Sequence, residues 1–340
     1  MFHQRFPNLS GIRVKREKAT PRDLRGLSGS IIINAIAFNS YIYIGSRKYK
    51  IDYNKGDLDR FAWRKIVNLN DIISLSSRIN VDYLENITYG DLPVIPGSSF
   101  KGCVRSRLEL LFHSVDNIVP SCFIRSGHIP KVPIPQKAHG WRHYKIWNDV
   151  ITENRGNACD ATKAEYFKDI ELCIICDIFG TSGIASRVCF SNLIPRNKDC
   201  LVRLHLDFGE KIFAFKKDTV FDGEITFLGL NLVELGLIFI GLNVHNNKPI
   251  LIGKSKYRKR MVNNRSKEYF GRLKINIDRI EFARYSDTAL IKNVLGNLFD
   301  EKRHLIEGEG VTKFVSYTVD KAFQMYGKWL RNINEVDKLG

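Results

Sequence analysis

Several features that would place this chain outside the cell or in a membrane are missing from it. The first nine residues are polar and lack the apolar stretch that a secretion signal needs. One long apolar run exists, residues 225–242, but it contains Asn231, Glu234 and three glycines. That composition suits a buried strand, turn and helix better than a membrane span. Seven cysteines is an odd number, and a Cys-x-x-Cys pair in a chain without a leader points to metal or free thiols rather than disulfides. No thioredoxin-like βαβ pattern surrounds that pair, which argues against redox turnover. None of the eight histidines falls in a motif that would make it a general base. Acidic residues are also short, 36 against 53 basic, leaving +17 over 340 residues. These absences describe a cytoplasmic protein with a polyanionic partner.

Nucleic acid is the first candidate for that partner, because each cation set near a phosphate releases a counterion. An anionic membrane surface is the second, weakened by the lack of a basic amphipathic helix beside a lipid anchor. With 44% hydrophobic and 26% charged residues the chain has the balance of a globular protein and can bury a substantial core in one or two domains.

Residues 91–112, DLPVIPGSSFKGCVRSRLELLF, organise the rest. Pro93 and Pro96 favour an extended approach, Gly97 allows a tight turn, and Ser98 or Ser99 can cap the helix that follows. Val104, Leu108, Leu111 and Phe112 recur at helical spacing, with Lys101, Arg105 and Arg107 elsewhere on the surface. A helix N-terminus beside cations suits a phosphate; the plainer reading is a capped helix with a solvated basic face. Residues 249–277 carry a second cationic stretch, with Lys254, Lys256, Arg258, Lys259, Arg260, Arg265 and Arg272. Trp141–Lys145, WRHYK, interleaves aromatics with Arg142 and Lys145, a composition for base stacking and phosphate contact or for a surface strand with a half-buried Trp.

Cysteine spacing supplies the metal candidate. Cys173 and Cys176 can aim two thiolates at one ion, and tetrahedral zinc needs two more ligands. Cys159 is a third, and the fourth is Cys122 or one of His128, His139 and His143. Buried free thiols are the alternative. Residues 28–38 read as a central strand, and 41–46, YIYIGS, as a strand ending in a Gly turn. Strand, apolar helix and Gly turn then recur at 221–228 and 231–242.

The stretch IPGSSFKGCVRSRLE closely resembles the IPGSS-x-KG-x-x-R signature of the RAMP superfamily, the CRISPR-associated RNA-binding proteins of type III effector complexes. YIYIGS resembles the family's Ile-Gly-Ser strand end. CIICDIFGTSGIASRVCFSNL resembles its cysteine-bearing Phe-Gly to Ser-Arg-Val segment, at Gly180, Ser186, Arg187 and Phe190. Residues 253–272 resemble its Gly-rich loop, with cations largely in place of glycines. The resemblance implies an α+β, ferredoxin-like (RRM-like) core over 27–277, with insertions at 47–90 and 113–176, the second zinc-binding. A basic arm at 1–26 and a helical extension at 278–340 flank it. It also implies binding of crRNA and complementary target RNA beside other type III subunits, with no membrane. Ser98, Ser99, Lys101, Arg105, Arg142, Lys145, Lys254, Lys256, Arg258, Lys259, Arg260 and Arg272 are the expected RNA contacts. In the family's backbone subunits a loop aspartate cleaves target RNA; Asp82, within Val-Asp-Tyr-Leu, is the best match, with Asp52, Asp57, Asp59 and Asp91 as other acidic candidates, aided by a divalent cation, Mg or Mn. The alternatives are a non-catalytic capping or scaffold subunit and, least favoured, a stand-alone crRNA-processing endoribonuclease.

Overall fold

Ile31, Ile33, Ala35 and Ala37 are fully buried and the residues between them half-exposed, so this run is a strand with one face to the core. The computed structural model describes residues 11–23, 25–52, 80–124, 134–136, 138 and 140–339. In chain order its main elements are β1 (Leu27–Ala37), β2 (Gly45–Asp52), β3 (Asn80–Asn86), α1 (Gly97–Leu111), α2 (Trp141–Trp147) and α3 (Ile174–Phe179). There follow β4 (Val188–Phe190), β5 (Leu201–His205), β6 (Lys211–Phe215), β7 (Val220–Leu230) and α4 (Leu232–Leu242). The last are β8 (Arg272–Phe282), β9 (Phe299–Asp300), β10 (Leu305–Glu307) and α5 (Glu309–Tyr326).

The larger sheet runs β4–β7–β1–β8–β10–β9, with every neighbour antiparallel. Four of its strands alternate with α1 and α4 in the order strand, helix, strand, strand, helix, strand, and lie in space as second, third, first, fourth. Phe100, Val104 and Leu108 of α1 and Leu235, Ile238 and Phe239 of α4 share one core cluster with the inward side chains of β1, β7 and β8. The apolar run at 225–242 is thus the end of β7 joined to α4. Asn231 Oδ1 accepts from the Glu234 N–H, and Glu234 reciprocates at the Asn231 N–H, a capping box that starts the helix where the strand stops.

A second sheet, β5–β6–β3–β2, stands on a separate small cluster that includes Tyr43, Leu204, Ile212, Val262 and Phe270. Residues 47–52 and 80–86, expected within a polar insertion, therefore belong to paired strands of this sheet. Residues 53–79 lie outside the described residues.

The outer segments are also more integrated than composition implied. From the N-terminal arm, Arg13–Val14 pairs with Ile118–Val119 and Glu17–Lys18 with Glu171–Leu172. Thr20 donates to Asp177 at 2.6 Å and Arg22 meets the same carboxylate at 2.7 Å. Asp177, Glu234 and the buried Arg187 of the Ser-Arg-Val segment form one ion network, which ties the arm to α3 and α4. Segment 113–176 contributes Val119, Ile146, Trp147 and Val150 to the main core. At the other end, the boundary drawn at 277 falls inside β8, and residues 278–340 supply β9, β10 and α5 to the same sheet and core.

Candidate functional site

The signature helix begins earlier, and is capped differently, than its serines imply. Pro96 is the N-cap; Ser98 and Ser99 lie in the first turn and make no cap bond. The free Gly97 N–H donates instead to Asn192 Oδ1 at 2.9 Å. Gly97 is required by crowding: a Cβ there would lie 2.0 Å from the Phe190 carbonyl oxygen. The helix start is thereby pressed onto the end of β4.

One side of α1 carries Ser99, Gly102, Cys103 and Ser106, and these line a cleft of about 310 Å³. Its other walls are Tyr43, Ile44 and Gly45 of the YIYIGS segment and Ile252, Gly253, Lys254 and Lys256 of the basic loop. Three stretches far apart in the chain thus meet at one place. Gly253 holds the loop there with φ +79°, and a Cβ on it would sit 2.5 Å from the Tyr43 carbonyl oxygen. The Lys254 N–H donates to that same oxygen at 3.0 Å. Small residues on the helix side leave room for a backbone to approach, and the loop adds cations.

The expected RNA contacts divide sharply by their surroundings. Ser99, Lys254 and Lys256 line the cleft, where Lys254 pairs with Glu210 and the half-buried Lys256 lies 5.2 Å from the centre of the Tyr257 ring. Ser98 is exposed beside it, and Lys101 is half-buried, its ammonium held below the ordinary lysine range by burial. Arg258 and Lys259 are exposed farther along the loop, and Arg272 opens β8. Two arginines are engaged inside the protein. Arg260 is buried and bound by Asp207, Glu210 and Ser255. Arg105 is half-buried, donating to Glu109 at 2.8 Å, to the Gly180 carbonyl at 2.7 Å and to Cys176 Sγ at 3.1 Å. WRHYK is helical rather than a strand; Arg142 and Lys145 are exposed on α2, with Lys145 Nζ 5.9 Å from the centre of the Trp141 ring.

Asp82 falls in β3 rather than in a loop, between Val81, which pairs with Ile51, and Tyr83, which pairs with Lys50. The hydroxyl of Tyr83 lies 2.6 Å from His205 Nε2 on β5.

The four candidate cysteines converge. Cys122, Cys159, Cys173 and Cys176 are all buried, and their sulfurs lie within 4.8 Å of one another. Cys122 Sγ is 3.4 Å from Cys176 Sγ and 3.6 Å from Cys173 Sγ. Zinc–thiolate bonds of about 2.3 Å in a tetrahedron set sulfur separations near 3.8 Å, so the donor set fits such a metal closely. Backbone N–H groups support it: Cys173 donates to Cys159 Sγ at 3.3 Å, and Cys176 to Cys173 Sγ at 3.4 Å. The hydrogen bond from the Cys122 thiol holds Cys159 below the ordinary thiol range, and the same bond pushes Cys122 up. Arg16 Nε, 3.4 Å from Cys159 Sγ, and Arg105, at Cys176, bring two positive charges to the sulfurs. Arg16 was missed because its only mark in the sequence is membership of a basic arm. His143 packs against Tyr257, with ring centres 5.4 Å apart. His128 and His139 lie outside the described residues.

The chain is thus a mixed α+β protein with a cation-lined cleft and a four-cysteine cluster. The family is definite: the RAMP superfamily matches residues 35–333, and the chain belongs to it. It is therefore a CRISPR-associated RNA-binding protein. No curated protein matches it. Among the described residues no helix is long and apolar enough to cross a membrane.

Proposed function

We propose that this chain is a crRNA-binding subunit of a type III CRISPR effector complex, with a ferredoxin-like core, and that the guide backbone lies in the cleft between α1, the Gly45 turn and the Gly253 loop. One observation carries the reading: the signature helix, the Ile-Gly-Ser strand end and the basic loop, each picked out independently in the sequence, line a single cleft. The second-third-first-fourth strand order supports the ferredoxin-like assignment. Phosphate and 2′-OH contacts there would be independent of sequence, leaving base pairing to select the target.

The cysteine cluster is proposed as a structural zinc site, closed by Cys122, Cys159, Cys173 and Cys176. Bound zinc would cross-link the segments that carry these residues, and Arg16 and Arg105 would offset the excess thiolate charge. Asp82 is carried forward as the carboxylate for target-RNA cleavage, working with Mg or Mn.

Ser106 is exposed on the cleft side of α1, so Ser106→Glu adds a negative charge without disturbing the core. With Lys254→Ala it is expected to weaken single-stranded RNA binding about tenfold or more, alike for unrelated sequences, and to flatten the salt dependence. Fluorescence anisotropy across a salt series measures both. Wild-type affinity and slope in the double variant would remove the cleft from the RNA path.

A further inference from the structure

The sheet face turned away from the helices changes character along its length. In its middle and at its far end the polar side chains satisfy one another. Arg196 and Asp222 pair at 2.6 Å, Arg279 and Glu281 at 2.6 Å, and Asn34 bonds to Asp278. At the end where β1 finishes and β8 begins, the pattern is different. Arg272 and Lys274 alternate with the buried Leu273 and so share the open face. The Phe38 N–H donates to the Arg272 carbonyl at 2.9 Å, and the Tyr41 N–H to the Tyr269 carbonyl at 3.1 Å, which fastens the turn after β1 to the start of β8.

Two aromatic rings on these laced segments carry cations. The Arg272 guanidinium lies 3.3 Å from the centre of the Tyr269 ring, and Lys259 Nζ lies 4.3 Å from it. Lys274 Nζ is 5.6 Å from the centre of Phe38, a ring 38% exposed. The nearby Glu268 is taken by Lys217 at 2.6 Å. No ion pair forms at Lys259, Arg272 or Lys274 among the described residues, in contrast to Arg105, Arg187 and Arg260. Hydrogen bonding from Lys259, with Arg272 adding to it, holds the Tyr269 phenol below its ordinary range, a sign of the local positive field. Cations without carboxylate partners, set on ring faces at a sheet end, match what an unpaired nucleotide needs: a stacking plane and a phosphate ligand side by side.

We propose that this ledge binds one or two unpaired bases of single-stranded RNA, with Phe38 and Tyr269 as stacking platforms and Lys259, Arg272 and Lys274 as phosphate ligands. The inference rests on the RNA-binding reading above and adds a second contact region, outside the signature cleft, that reads base planes rather than backbone alone. Base–aromatic stacking of ordinary strength makes each ring responsible for roughly a tenfold change in affinity.

The test compares Phe38→Ala, Tyr269→Ala and the ring-preserving Tyr269→Phe with wild type by fluorescence anisotropy. Two oligonucleotides of equal length are used, an ordinary single-stranded RNA and one made abasic throughout. Both alanine variants should lose about tenfold on the ordinary RNA and almost nothing on the abasic one, while Tyr269→Phe stays near wild type. Circular dichroism melts confirm that each variant is folded. Equal losses on both oligonucleotides would overturn stacking, because only phosphate contact would then be at stake. Wild-type affinity in both alanine variants, with the Ser106→Glu, Lys254→Ala double variant still weakened, would overturn the ledge and leave the cleft standing. Failure of the wild type to bind either oligonucleotide would overturn both.

Discussion

His245, just past the end of α4, shows how a single side chain sets a pH limit. Neither ring nitrogen has a hydrogen-bond partner among the described residues, and the ring packs against Phe323 with centres 6.4 Å apart. Burial, with the charge of Arg107 adding to it, pushes the imidazole down to about 4. An unfolded histidine titrates near 6.5, so the folded state favours the neutral ring. The stability this contributes is fully present above pH 6.5, falls as pH drops toward 4 and is gone below that. Linkage puts the loss at about 2 kcal/mol by pH 5. The urea midpoint of wild type should therefore fall relative to that of His245→Phe between pH 7.5 and pH 5; a difference that stays constant would mean the imidazole does not titrate in this window. At this scale the sequence was a poor guide. Arg105 and Arg258 look equivalent in a string of basic residues, yet one is spent on Glu109, Gly180 and Cys176 and the other faces solvent.

Elements were more legible where period and punctuation agreed. The strand expected at 28–38 spans 27–37, and α4 starts at Asn231 where the residue pattern places it, whereas α1 starts at Gly97, ahead of the serines expected to cap it. Legibility failed for WRHYK, part of a seven-residue helix too short to show a period, and for β2 and β3, whose pairing depends on a sheet assembled from distant strands. The metal candidate shows both outcomes. Cys173 and Cys176 are separated by a helical turn and declare themselves, whereas Cys122 is 51 residues from Cys173 and reaches it only through the fold. Protein purified without chelators should carry about one metal ion per chain, and cobalt substitution should give thiolate-to-metal absorption. Cys122→Ser should lower the metal content, and chelation should make the segment around Arg16 newly sensitive to protease, since its Cys159 contact would be lost. Four freely titrating thiols in a fully folded, metal-free protein would refute the site.

At the scale of the molecule the +17 charge is sorted rather than spread: the ledge keeps cations without carboxylate partners among the described residues, the cleft holds Lys254 paired with Glu210 beside a half-buried Lys256, and most buried arginines are neutralised. The proposed cleavage is tested at this scale too, because an in-line attack by a target 2′-OH would need a guide, a target and neighbouring subunits to hold the geometry. In the assembled complex, Asp82→Ala is expected to abolish regularly spaced cuts in complementary RNA and to leave guide binding unchanged. Persistence of every cut would clear Asp82 of that role, and an uncut target with wild type would favour a scaffold subunit.

By itself the sequence determined the family, through a signature whose residues are locally constrained: glycine where the helix start is crowded and small side chains where the cleft opens. It also determined the +17 balance that points to a polyanion, because net charge is additive and needs no coordinates. Only the tertiary structure decided which cations remain available, which cysteine completes the cluster and where the core ends. Those depend on contacts between residues far apart in the chain, such as Arg107 with Glu335 and β1 with β8, and no local pattern encodes them.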